Sequence, residues 1–337
     1  MAASLPSLPD VERLSTNIVR VLGGNPGKYT LQGSNTYILG AGPQRILLDT
    51  GQGVPAWKAN LSTALQQYNT TISLCLLSHW HHDHLGGVAD LISLSSSSTS
   101  STPTIHKNQP SLNPDNLIDP STTLDISDGQ KFSTAEGFEL TALHAPGHAA
   151  DHMCFLITAS SDPSEIGSIF TADNVLGHGT AVFEDLPAYV SSLSLMHRTL
   201  VANAAATGDS ARTVKAYPGH GQVIDDAAAK IQEYIEHRRQ REEEVLNLLR
   251  YGTTKAPPPP QTSEAAGGTV QDGTEGSPKE WGSMDLVKVI YQNYPESLHI
   301  PAEGGVKQVL GKLLKEGRVV YNNQTSKWQF VSARATL

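Results

Sequence analysis

Between positions 79 and 84 the chain carries four histidines and one aspartate: His79, His81, His82, Asp83 and His84, with Trp80 among them. Imidazole and carboxylate are borderline ligands suited to zinc, iron or manganese. A segment offering five such groups can face two metals rather than one. A lone histidine near a strand end is ordinarily a core or surface residue, but packing gives no reason for this density. Ile72 to Leu77 precedes the cluster and is short and apolar enough for a buried strand. Gly86 and Gly87 follow, and Val88, Ala89, Leu91 and Ile92 then start a helix. The histidines are therefore expected on a loop at a strand's carboxyl end, where open α/β sheets place ligand sites.

The same arrangement recurs along the chain. Phe138 to Leu143 reads as a strand ending in His144-Ala145-Pro146-Gly147-His148. Ser168 to Ala172 delivers Asp173, and Val214 to Pro218 delivers His220 between two glycines. Arg45 to Leu48 delivers Asp49 to a glycine turn. Small residues beside each group let the backbone turn tightly and approach an ion. Taken singly, His148, Asp173 and His220 fit an ordinary buried residue as well as a ligand. Taken with the cluster, they predict donors gathered along one sheet edge.

The elements that must position these groups are legible in outline. Asn17 to Leu22 and Asn35 to Gly40 read as early strands joined by short turns. Val54 to Tyr68 has helical spacing and leads into the strand before the histidines. Strands on short turns, followed by a strand–helix–strand unit, predict an α/β sandwich rather than a simple doubly wound sheet. The serine-rich stretch from Ser95 to Ser101 predicts a disordered insertion over 93–103. Lys107 to Thr123 is expected as loop, and Asp128-Gly129-Gln130 as a hairpin turn. Ala227 to Arg250 is strongly helical, with a charged middle from His237 to Glu244 that reads as a solvated face. The stretch 251–283, with Pro257 to Pro260, predicts a flexible linker. Helices around Asp285–Tyr291 and Val306–Leu314, then Val319–Tyr321 and Lys327–Phe330, resemble a winged-helix unit over 284–337. The remaining 1–250 forms the expected catalytic domain.

Composition narrows the function classes. Lys and Arg total 24 against 33 Asp and Glu, a net charge of −9. That balance argues against a protein whose main task is holding nucleic acid by its phosphates. Cys75 and Cys154 lie in apolar runs and read as buried thiols, which suits a reducing compartment. The first residues lack the basic and apolar regions of a signal peptide and are not Arg-rich. No apolar run approaches the length of a membrane span. A soluble, cytoplasmic protein with no membrane contact is expected.

These residues resemble the metallo-β-lactamase-like hydrolases. The signature His-x-His-x-Asp-His matches His79, His81, Asp83 and His84, and the later members match His148, Asp173 and His220. The resemblance implies a four-layer αββα sandwich holding two zinc ions. One would be held by His79, His81 and His148, the other by Asp83, His84 and His220, with Asp173 bridging both. Asp49 would orient a ligand histidine from behind. A water acidified by the metals would be the nucleophile, with Asp83 also handling its proton. Alanine stands at 172, where the family often has glycine.

A closer likeness runs through Arg20 to Gly27, Thr30 to Tyr37 and Tyr217 to Gly221, which look like the lactamase-β-2 branch. That branch includes an animal single-strand endoribonuclease. It also includes fungal thioesterases that release aromatic polyketides from the acyl carrier protein of a non-reducing synthase. His144 to His148, Asp151 to Phe155 and Asp173 to Thr180 are similar to the fungal group, implying a polyketide thioesterase of secondary metabolism. The winged tail, with Arg238, Arg239 and Arg241, is the cue for RNA as the alternative substrate. A metal-stabilised binding protein without catalysis is the third reading.

Overall fold

The computed structural model describes residues 5–96, 102–206, 212–257 and 280–331. The chain divides into two compact units, Met1–Tyr234 and Ile235–Leu337. The first opens with β1 (Val11–Arg13), β2 (Ile18–Leu22), β3 (Asn35–Leu39) and β4 (Gln44–Leu48), each antiparallel to the next. Helix α1 (Pro55–Gln67) returns the chain to β5 (Thr71–Leu77), parallel to β4. A single turn, α2 (His82–Leu85), and α3 (Val88–Ser96) lead to β6 (Thr104–Lys107) and the two-residue β7 (Leu124–Asp125). These strands form one sheet in chain order.

The second sheet holds β8 (Lys131–Ser133), β9 (Glu139–His144), β10 (Met153–Ala159), β11 (Ile169–Ala172) and β12 (Ala216–Pro218). Its order is the reverse, β12 to β8, with only β11 and β12 parallel. Helix α4 (Leu186–Ala206) lies between β11 and β12 in sequence, and α5 (Ala227–Tyr251) follows β12.

Strict alternation along the strands explains the layering. Ile18, Tyr37, Leu39, Ile46, Leu48 and Leu76 point into a core shared with Phe138, Leu140, Phe155, Phe170 and Tyr217 of the second sheet. Their chain neighbours Val19, Val21, Ile38, Leu47, Cys75 and Leu77 point the other way, onto Trp57, Leu61, Val88 and Leu91 of α1 and α3. A sheet covered on both faces needs near-continuous apolar strands, as β2 to β5 have. On the outer face of the second sheet, Cys154 Sγ lies 3.4 Å from Met196 Sδ of α4. The order is helix, sheet, sheet, helix.

Several expectations are refined. Helix α3 continues to Ser96, so the first residues of the predicted insertion are helical, and 97–101 lie outside the described residues. The helical spacing of Leu91 and Leu94 carries through the serines. The turn at 128–130 forms, Gln130 N–H donating to Ser127 O at 3.1 Å, but it is no hairpin. It passes the chain from β7 in one sheet to β8 in the other. Local turn chemistry does not say which sheet receives the next strand. Helix α4 was not expected, although Leu186, Tyr189, Leu193, Met196 and Leu200 are buried on one face at helical spacing.

In the second unit, α6 (Ser283–Ile290), a 3-10 turn (Glu296–Leu298) and α7 (His299–Lys315) precede the antiparallel β13 (Val319–Asn322) and β14 (Lys327–Phe330). Leu286, Val287, Val306, Val309, Leu310, Leu313 and Val319 are buried in it, as are Val245, Leu248 and Leu249 of α5. The end of the predicted linker is structured: Trp281 and Trp328 exchange backbone hydrogen bonds of 2.9 and 2.8 Å. Residues 258–279 of that linker lie outside the described residues. Among the described residues, no helix is long and apolar enough to cross a membrane.

Leu193 is fully buried on α4. Leu193→Ala should therefore destabilise the first unit by ~2–5 kcal/mol, measured as a lowered midpoint in urea.

Candidate metal centre

The histidine cluster is held by a backbone contact that only glycine permits. A Cβ on Gly87 would lie 2.0 Å from Thr50 O and 2.5 Å from the Trp57 ring. The turn after β5 is thereby packed against the turn after β4. Thr50 secures it further, donating from N and Oγ1 to His84 O at 2.9 Å each. His81 is extended, and α2 then winds from His82. The cluster is thus partly helical, not the loop expected. That turn sends His82 to solvent and brings Asp83 and His84 inward.

Three ring nitrogens meet at one point. His79 Nε2 and His148 Nε2 each lie 3.0 Å from His81 Nδ1. A second group forms beside it. His220 Nε2 lies 3.1 Å from Asp83 Oδ2, and His84 Nε2 lies 3.6 Å from the same atom. Asp173 stands between the groups, Oδ1 3.4 Å from His84 Nε2 and Oδ2 3.2 Å from His220 Nε2 and 3.7 Å from His148 Nε2. The tips of β5, β9, β11 and β12 thus bring all seven expected residues together. Both groups have the spacing of possible metal ligands.

Partners behind the rings fix their orientation. Asp49 Oδ2 accepts from His84 Nδ1 at 2.8 Å, and Val182 O accepts from His148 Nδ1 at 2.7 Å. Donation from Nδ1 leaves Nε2 to face the site. Gly219 makes room: a Cβ there would lie 2.2 Å from Asp173 Oδ1 and 2.9 Å from His84 Cε1.

The electrostatics split the groups. Burial, reinforced by neighbouring imidazoles, holds His79 well below its ordinary pKa and lowers His81 to about 4. Burial also pulls on His84 and His220, but the carboxylates of Asp173 and Asp83 outweigh it. His84 is held well above its ordinary value, and His220 is raised to about 9. Burial likewise works against ionising Asp83, yet His84 and His220 bring it down to about 2. In the metal-free protein at neutral pH, His79 and His81 are neutral, and the second group is a network of imidazolium and carboxylate.

The residues fit divalent cations. The donors are nitrogen and oxygen only, and they converge. His84 Nε2 and Asp173 Oδ1 are buried and face each other at 3.4 Å without a well-formed hydrogen bond, an arrangement that suits donors to a shared cation.

Two contributors were not anticipated from sequence. His152 is buried beside His79 and His148, its Nε2 accepting the Asp173 N–H at 3.2 Å. Ser78 touches both Asp49 and His79. Neither carries a spacing signal; only the DH pair at 151–152 hints at the first. Ala172, at the position where the family often has glycine, adopts φ 41°, a left-handed backbone that glycine takes without cost.

A family model of the metallo-beta-lactamase superfamily matches residues 29–161. A lactamase-like protein, nscB, of Aspergillus fumigatus is 38% identical over 99% of this chain and 90% of its own length. The chain belongs to the metallo-beta-lactamase superfamily. A beta-lactamase associated winged helix domain matches residues 282–328. An atrochrysone carboxyl ACP thioesterase of Aspergillus chevalieri is also similar, 38% identical over 98% of this chain and 92% of its own length. Among solved structures, a beta-lactamase domain protein from Burkholderia ambifaria aligns with a TM-score of 0.69. It covers 98% of both chains at 14% identity, a likeness of fold. Membership in the superfamily implies divalent metal binding, in keeping with the donor set.

Because His84 and His220 are protonated at neutral pH without metal, cation uptake by their group should release about two protons per chain. Calorimetry at pH 7 in buffers of different ionisation enthalpy measures that number. Affinity at this position should rise as pH rises through about 9, where His220 loses its proton. The same shift stabilises the metal-free fold below pH ~6.5. That contribution is lost as pH rises through about 9. Gly219→Ala should abolish tight binding of at least one cation, read as metal content after dialysis.

Proposed function

We propose that this chain is a two-zinc thioesterase that releases an aromatic polyketide from an acyl carrier protein in the cytoplasm. The observation that carries the reading is the convergence of seven nitrogen and oxygen donors in a chain similar, end to end, to a protein named as an ACP thioesterase. In this reading His79, His81 and His148 would hold one zinc and Asp83, His84 and His220 the other, with Asp173 standing between the two groups. Bound zinc supplies Lewis acidity toward a carbonyl oxygen and lowers the pKa of water.

The protein's own groups do the rest. Asp83 is kept ionised by the imidazoles around it and faces the centre, so it can take the proton of the attacking water. A thiolate leaving group needs little protonation, which suits a site with one mobile acid. A covalent acyl–cysteine route has no support. Burial raises the Cys154 thiol to about 12 and lifts Cys75 as well, and both are buried. Trp80 supports an aromatic substrate: its half-buried ring packs edge-on at 4.4 Å against His81. Val182, exposed just behind His148, adds apolar surface.

RNA has less support. Several basic residues of the second unit are engaged by its own carboxylates. Glu242 takes Lys312 at 2.7 Å and Arg318 at 3.0 Å, and Arg239 and Arg241 pair with Glu243 and Glu244. Arg241 also covers the Tyr291 ring at 4.3 Å. Cations neutralised in this way leave little free charge for a phosphate backbone.

The purified protein should release the acyl group from a carrier-protein thioester, and EDTA should abolish release until zinc is restored. Asp83→Asn should lower kcat by ~10²–10⁴-fold, followed by mass spectrometry of the carrier. Release that persists in EDTA counts against the proposal. So does RNA cleavage that falls steeply with salt while thioesters stay intact.

A further inference from the structure

The carboxylate of Asp49 is buried and makes three contacts of 2.8 Å. Oδ1 accepts the Ser78 N–H, and Oδ2 faces both Ser78 Oγ and His84 Nδ1. Ser78 Oγ also lies 2.9 Å from Nδ1 of His79. Both Ser78 and His79 are buried.

The proton inventory of these four groups has one consistent solution. Ser78 Oγ donates to Asp49 Oδ2, and a hydroxyl has one proton to give. The Ser78 proton therefore goes to Asp49. Ser78 Oγ is left as an acceptor, so the short contact with His79 requires a proton on His79 Nδ1. His79 Nε2 is then bare, and it is the atom that meets His81 Nδ1 at 3.0 Å.

We infer that Ser78 is a positioning residue that carries the hold of Asp49 across to His79. One carboxylate then sets the ring state of an imidazole in each of the two donor groups, directly at His84 and through a hydroxyl at His79. Asp49 itself sits at φ 60°, a left-handed conformation that aspartate and asparagine tolerate better than most residues. The inference about ring state concerns the metal-free protein; its consequence for affinity rests on the two-zinc reading above.

Two measurements on Ser78→Ala test it. The first is the nitrogen NMR spectrum of the metal-free protein near neutral pH, with the His79 signal assigned through a His79→Gln variant. The wild type should show His79 protonated at Nδ1, and Ser78→Ala should show a shift toward the Nε2 form or a mixture. A wild-type ring protonated at Nε2, or a spectrum that the alanine leaves unchanged, overturns the inference. The second is zinc competition with a chromophoric chelator, with the thermal midpoint of the metal-free variant as a check on folding. The alanine should weaken one zinc position by ~10-fold or more and leave the other within about two-fold. Asp49→Asn, which keeps the left-handed preference but removes the charge, should weaken both. Equal weakening of both positions by Ser78→Ala, or of neither, overturns the relay. If the wild type takes up no zinc, the two-zinc reading falls and the ring-state measurement alone decides.

Discussion

Imidazoles and carboxylates are crowded into a volume from which water is largely excluded, and this is the constraint the molecule is built around. Burial opposes charge on every one of these groups, and like groups a few ångströms apart oppose one another. The protein settles the conflict by pairing. Asp83 and Asp173 are ionised because protonated His84 and His220 face them, whereas His79 and His81 shed their protons. Such a cluster persists only on a scaffold stiff enough to stop the rings from turning away.

That stiffness comes from two sheets whose strands share an apolar core and end at the same rim. Neighbouring strands cannot slide without reversing their alternation and turning apolar side chains out of both cores. The turns leaving the strands are short and locally strained: Asp49 and Ala172 are non-glycine residues with positive φ, each next to or within the cluster. Strain of this kind survives where the surroundings over-determine the backbone. Here they do so through Thr50, Gly87 and the His152 ring. The scaffold and the cluster are a single mechanical object.

The donors are legible in the chain because their types are rare together and because each follows a strand and adjoins small residues. The layered architecture is legible too, since alternation along β2 to β5 marks both covered faces. What is not legible depends on partners distant in sequence. Nothing near Ser78 announces that its hydroxyl lies between Asp49 and His79. The Asp-His pair at 151–152 does not announce that His152 will accept a hydrogen bond from the Asp173 N–H. The turn at 128–130 is written in local chemistry, but the change of sheet is decided by what β9 offers to β8. Helix α4 is a different case. Its buried face has regular spacing, but serine and alanine on the remaining faces and an exposed Val201 blur the contrast.

The cage contains no sulfur donor, and the two thiols of the chain lie buried in strands of opposite sheets, β5 and β10. A thiolate cage ejects its metal when an oxidant converts sulfur to a disulfide or a sulfenic acid. This one has no such weak point. Thiol oxidation and changes in cellular redox poise therefore leave the donor set untouched. Oxidative inactivation has to begin elsewhere, at a methionine for example.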